Sequence, residues 1–93
     1  MIQVLLITKS NCVSCCIMDY IITSIKNTYN ENNKVNVNIC HKDFIDKNIL
    51  TENNITEFPA TIIYNDDYKK SIRFLGTVPF IQIQKEIDSL IDK

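Results

Sequence analysis

The sequence predicts an α/β fold: a mixed four-stranded sheet with helices on both faces, in the order β-α-β-α-β-β-α. Three observations predict it. An aliphatic run at residues 2–7 and an alternating run at 35–40 both have strand character, and a helical pattern separates them. A second, shorter helical pattern leads to a proline-opened apolar run that turns back on itself as a hairpin. The chain then closes on an amphipathic helix. Helical crossovers require the first strands to pair in parallel, and the hairpin adds an antiparallel pair.

Residues 2–7 are short, aliphatic on both faces and free of a helical period, as a buried strand is. A polar loop follows at 8–11. From Cys12 to about Tyr29, the apolar residues Ile17, Met18, Ile21, Ile22, Ile25 and Tyr29 recur at helical spacing and define one core face. Asn30-Glu31-Asn32-Asn33 ends that helix. Val35, Val37 and Ile39 alternate with Asn36, Asn38 and Cys40, a period of two. Asp43 is expected to cap a short helix carrying Phe44, Ile45, Ile49 and Leu50, with Asp46 in its first turn and Asn53-Asn54 as its stop. Phe58-Pro59-Ala60-Thr61-Ile62-Ile63-Tyr64 reads as the third strand, opened by a proline where no ladder hydrogen bond is lost. Asn65-Asp66-Asp67 is the turn, and residues 69–75 are the fourth strand. Gly76 breaks the pattern. Thr77-Val78-Pro79 opens the last helix, with proline in its first turn, and Phe80, Ile83, Ile87, Leu90 and Ile91 form its apolar face.

A chain of 93 residues supports one modest core, so a single domain over residues 1–93 is expected. Hydrophobic residues make up 45% and charged residues 23%, as in folded soluble proteins. Ten basic and eleven acidic residues, with no basic block, leave no footprint for nucleic acid. With a single glycine, the turns fall to asparagine and aspartate. Nothing approaches the length of a membrane span, so no membrane partner is expected. The short apolar start lacks the basic leader and the cleavage site of a signal peptide. A cytoplasmic, reducing compartment is therefore expected. There, a close cysteine pair is catalytic or metal-binding more often than structural.

That pair is Cys12-Val13-Ser14-Cys15, placed where the first strand ends and the first helix begins. The first N–H groups of a helix have no intrahelical partners, and the helix dipole is positive there. A thiolate at that position is stabilised, so its thiol ionises more readily than a free cysteine. Such a pair in a small α/β chain reads as a dithiol–disulfide switch. The plain alternative is two core cysteines with no redox role.

With Cys12-Val13-Ser14-Cys15 at the first strand–helix turn and Asn54-Ile55-Thr56-Glu57-Phe58-Pro59-Ala60-Thr61 before the third strand, the chain resembles the thioredoxin-like superfamily. Val37-Asn38-Ile39 and Phe74-Leu75-Gly76 extend the likeness over nearly the whole sequence. Compared with thioredoxin proper, the leading strand and helix are missing, which gives a compact, glutaredoxin-sized version. The resemblance implies that Pro59 follows a cis peptide bond. Thr77-Val78-Pro79 matches the tripeptide that glutaredoxins carry at their cis-proline, but too little chain follows Pro79 for the hairpin and final helix that come after that site. Three features depart from the pattern. Val13 and Ser14 stand between the cysteines, Asn11 replaces the preceding tryptophan, and the buried acid and lysine of thioredoxins would fall near Leu6 and Asn36.

What the resemblance implies is a thiol–disulfide oxidoreductase in which Cys12 attacks and Cys15 resolves. It needs no bound cofactor beyond the redox-active Cys12–Cys15 disulfide. Electrons would come from a thioredoxin reductase or glutathione, and the partners would be protein disulfides met by a monomer. Phe58, Pro59, Gly76 and Thr77 would form the substrate groove, with the Phe58 backbone open to pairing with an added strand. A glutathione-dependent glutaredoxin is the nearest alternative, although only Asn65-Asp66-Asp67 stands where a glutathione-holding segment would be. A zinc or copper module is the alternative from another class. A set of Cys12, Cys15, Cys40 and His41 places its second pair on adjacent strand residues that face opposite ways. A copper chaperone would end in a strand, whereas this chain ends in a helix. Cys16 reads as a bystander, a capping or dimer site, or a second resolving thiol. Cys40 reads as a bystander, and His41 as a solvated loop residue with no role.

Overall fold

The structure, a computed structural model, describes residues 1–66 and 70–92. Its elements are β1 (Ile2–Thr8), α1 (Val13–Thr28), β2 (Val35–His41), α2 (Lys47–Glu52), β3 (Ala60–Asn65), β4 (Lys70–Leu75) and α3 (Phe80–Ile91). They form the expected mixed sheet, with strand order β2-β1-β3-β4. β1 pairs in parallel with β2 and antiparallel with β3, and β3 pairs antiparallel with β4. The register aligns Thr8 with His41, Ile7 with Ala60, and Ala60 with Leu75. The ends of β1, β2 and β4 and the start of β3 therefore meet at one edge of the sheet, and the cysteine loop leaves β1 there. Asp67 of the expected turn and Lys69 of the expected strand lie outside the described residues.

Strand alternation sends successive side chains of β1 to opposite faces. Ile2, Val4 and Leu6 pack with Met18, Ile22 and Ile25 of α1 and with Ile83 and Ile87 of α3. Ile7, Ala60 and Ile62 pack on the other face with Leu5, Ile45, Leu50 and Ile55. Helices thus cover both faces. Each fully buried aliphatic side chain in these layers contributes about 1.5–3 kcal/mol. The two long helices are also tied at their distal ends, where the Tyr29 hydroxyl donates to Asp88 Oδ1 at 2.6 Å. Burial and that hydrogen bond hold the Tyr29 phenol well above its ordinary range.

Four expectations need correction. Asp43 does not cap the second helix. Its carboxylate takes the Lys42 ammonium at 3.0 Å, and its own N–H goes to His41 Nδ1 within a 3₁₀ turn over Lys42–Phe44. Ile45 is extended, at φ −108° and ψ 144°, and separates that turn from α2. The cap is Asp46, whose side chain accepts the Asn48 N–H at 2.9 Å. Phe44, expected on the helix, lies outside it and is 83% exposed. Pro79 stands one position before the first turn of α3, as its N-cap, because its ψ of 146° is extended. The third strand begins at Ala60, leaving Phe58 and Pro59 in the preceding loop.

Candidate active site

The site grows from the end of β1. Thr8 closes the strand, Lys9 and Ser10 are exposed, and Asn11 turns the chain with a left-handed φ of 54°. Cys12 then adopts an extended conformation, φ −130° and ψ 103°, so it is the N-cap of α1 and not its first helical residue. Its Sγ accepts the Cys15 N–H at 3.1 Å, and its carbonyl accepts the Cys16 N–H at 3.3 Å. A sulfur thus fills the capping role that an Asp or Ser oxygen usually has. The same N–H and the helix end favour negative charge on that sulfur once it is reduced.

Cys12 and Cys15 are joined in a disulfide with a Cα–Cα separation of 5.2 Å, well within the span such a bond requires. Cys12 is half-buried, whereas Cys15 is 4% exposed. The sulfur a partner can reach is therefore that of Cys12. An open cleft of about 580 Å³ runs beside the pair on the α1 side, lined by Lys9, Asn11, Cys12, Cys16, Asp19 and Tyr20 among others. Cys16 is a free, exposed thiol on this cleft, and Cys40 is a free, half-buried thiol at the end of β2.

The remaining expected residues cluster at the same sheet edge. The Phe58–Pro59 peptide bond is cis. The Pro59 carbonyl accepts the Gly76 N–H at 2.8 Å, so the loops before β3 and after β4 are fastened together. Gly76 sits at φ 82°, a left-handed conformation that glycine adopts without strain. Two residues on, the Val78 N–H donates to Met18 Sδ at 3.2 Å, which anchors this loop to the core face of α1. Phe58 is half-buried and Thr77 exposed. None of Phe58, Pro59, Gly76 and Thr77 lines the cleft beside Cys16. Among the described residues, no group of three or more His, Cys, Asp or Glu is placed to hold a metal.

Leu6 is fully buried in the apolar layer and Asn36 is exposed on β2, so neither supplies a charge beneath the cysteines. Thr61, the cross-strand neighbour of Leu6, has a fully buried hydroxyl with no hydrogen-bond partner among the described residues. His41, given no role above, is not a solvated loop residue. It ends β2, accepts the Asp43 N–H through Nδ1, and meets Ser10 Oγ with Nε2 at 3.1 Å. Local sequence gave no hint of this, because only the parallel pairing of β1 with β2 brings residues 10 and 41 together.

A four-stranded mixed sheet between helices, with a bonded Cys-x-x-Cys heading the first helix and a cis-proline before the third strand, is the thioredoxin fold. Solved structures agree. Over 95% of this chain and 77% of theirs, mitochondrial thioredoxin 3 from Saccharomyces cerevisiae in its oxidised form superposes with a TM-score of 0.73 at 20% identity. Chloroplastic thioredoxin z gives 0.79 at 15% identity, over the whole of this chain and 80% of its own. A chain from a structure of thiol resolution in yeast mitochondrial 1-Cys peroxiredoxin by the glutathione/thioredoxin systems gives 0.73 at 19% identity, covering 95% of this chain and 77% of that one. No protein-family model and no curated protein matches the sequence. No described helix is long and apolar enough to cross a membrane.

Proposed function

We propose that this protein is a thiol–disulfide oxidoreductase that exchanges its Cys12–Cys15 dithiol with disulfides in other proteins. One observation carries the reading: in a thioredoxin fold, Cys12 and Cys15 are bonded at the head of α1, with the accessible sulfur facing the N–H that would stabilise it as a thiolate. Reduced Cys12 attacks a substrate disulfide, forms a mixed disulfide and releases one substrate thiolate. Cys15 then attacks Cys12 Sγ and expels the second substrate thiolate. Two electrons pass to the substrate, and the Cys12–Cys15 bond is restored.

Burial of Cys15 supports this division of labour, since the resolving thiol needs to reach only Cys12. The fastened loops at Pro59 and Gly76 support a docking edge there, with Phe58 and Thr77 flanking it. A substrate strand beside the disulfide would pair with backbone at Phe58. No bound cofactor is required. A monomer in a reducing, cytoplasmic compartment suits two further free thiols, Cys16 and Cys40. The electron donor is a thioredoxin reductase in this reading. Glutathione is the alternative.

Disulfide reduction driven by NADPH and thioredoxin reductase, set against reduction driven by glutathione, tests the donor. Cys12→Ser should fall to background with either. Cys15→Ser should instead accumulate a mixed disulfide with the substrate, visible as a covalent adduct on a non-reducing gel. Retained turnover in Cys12→Ser refutes the mechanism.

A further inference from the structure

We propose that His41 is a positioning residue for Cys12 and acts through Ser10; this rests on the oxidoreductase reading above. His41 lies opposite Thr8 in the parallel register, so its ring stands beside the loop that delivers Cys12. The ring is fixed from several sides. Nδ1 accepts the backbone N–H of Asp43 at 3.1 Å, and a backbone N–H can only donate, so the ring proton sits on Nε2. Nε2 therefore donates to Ser10 Oγ at 3.1 Å. The Phe44 ring packs edge-on against the imidazole, with centroids 6.0 Å apart at 68°. Asp43 Oδ2 lies 3.5 Å from Nδ1 but is exposed to solvent.

The loop needs such a support. Between Ser10 and Cys12 stands Asn11 at φ 54°, a left-handed conformation that asparagine adopts more readily than other side-chain-bearing residues but that still needs its neighbours to hold it. It aims the chain so that Cys12 becomes the N-cap and its Sγ receives the Cys15 N–H. Freed from His41, Ser10 lets Asn11 relax and the sulfur drift from that N–H. The thiolate then loses part of its stabilisation. Among the described residues the His41 ring is hydrogen-bonded to Ser10 and to the Asp43 N–H and not to Cys12 or Cys15, so its effect on Cys12 passes through Ser10.

The test is the pH profile of Cys12 alkylation in reduced protein, with Cys15, Cys16 and Cys40 changed to serine so that one thiol reports. Ser10→Ala and His41→Asn should each raise the profile's midpoint by about 0.5 unit, which slows alkylation about threefold at pH values well below the midpoint and leaves the high-pH plateau unchanged. His41→Asn keeps an acceptor for the Asp43 N–H but cannot reach Ser10. His41→Gln keeps a donor at the Nε2 position and should retain the parental profile. The Ser10→Ala, His41→Asn pair should shift no further than either change alone. Unchanged profiles in Ser10→Ala and His41→Asn overturn the proposal, as does a shift in His41→Gln equal to that in His41→Asn. Alkylation requires no protein substrate. If the unaltered protein reduces no disulfide, the oxidoreductase reading fails while this comparison still reads out.

Discussion

Replacing Met18 by leucine removes one acceptor from the core and changes little else. Met18 is fully buried, and its Sδ takes the Val78 N–H at 3.2 Å, with Val78 itself only 6% exposed. Leucine keeps the volume, and such swaps by themselves cost less than about 1.5 kcal/mol. What it cannot keep is the bond. A buried N–H left without a partner costs about 1–3 kcal/mol, and a weak thioether acceptor places this case near the lower end. The sum is a loss of about 1–2 kcal/mol, or a fall in Tm of roughly 5–15 °C for a domain of this size. Urea unfolding measures the total. Amide exchange then locates it: Val78 should exchange about tenfold faster for each 1.4 kcal/mol of local loosening, beyond any change at Ile22. A loss under about 0.5 kcal/mol, with Val78 and Ile22 protected alike, would show that the sulfur contributes packing alone. Because the same loop holds Gly76 against Pro59, the proposed docking edge predicts that the variant raises KM for protein disulfides more than it lowers kcat.

Further outcomes follow from other buried polar groups. Tyr29→Phe removes a hydrogen bond to a carboxylate and should cost about 1.5–3 kcal/mol below pH 10. In the unaltered protein the unfolded phenol ionises near 10.0 while the folded one keeps its proton, so stability is complete below that pH and lost as pH rises above it. Alkaline melting curves of the two proteins should therefore converge, and a constant gap would contradict the raised phenol. Thr61→Val replaces a buried, unpartnered hydroxyl with a methyl of the same shape and should stabilise the fold by about 1–2 kcal/mol. A lower Tm would mean that the hydroxyl has a partner that matters.

The fold was legible because its signals are local and repeated. Period-two runs, helical spacing and an aliphatic run just after a proline each specify an element without reference to the others. The bonded cysteine pair was legible for the same reason, since Cys12 and Cys15 are three residues apart. The second helix was misplaced because two aspartates compete for one cap, and the winner depends on His41 and Lys42 drawing Asp43 away. Phe44 and Ile45 fit a helical pattern in sequence, yet Phe44 is left in solvent beside the His41 ring. His41 itself was unreadable: its contact with Ser10 exists only once two parallel strands are in register. The cleft on the α1 side went unforeseen because Asp19 and Tyr20 join Cys16 on an exposed helix face, and the sequence pattern had marked only the buried one.

The shared edge at which the strand ends meet also decides where this protein can be held. α1 starts at that edge and runs to Tyr29, and Tyr29 grips Asp88 near the end of α3. Met1 lies at the same distal end, where its carbonyl takes the Asp66 N–H. The first described residue and the last helical turn are therefore both remote from Cys12. A tag, a surface tether or a fused domain attached at either point leaves the cysteines facing outward, so on the proposed function immobilised protein should exchange disulfides as freely as protein in solution.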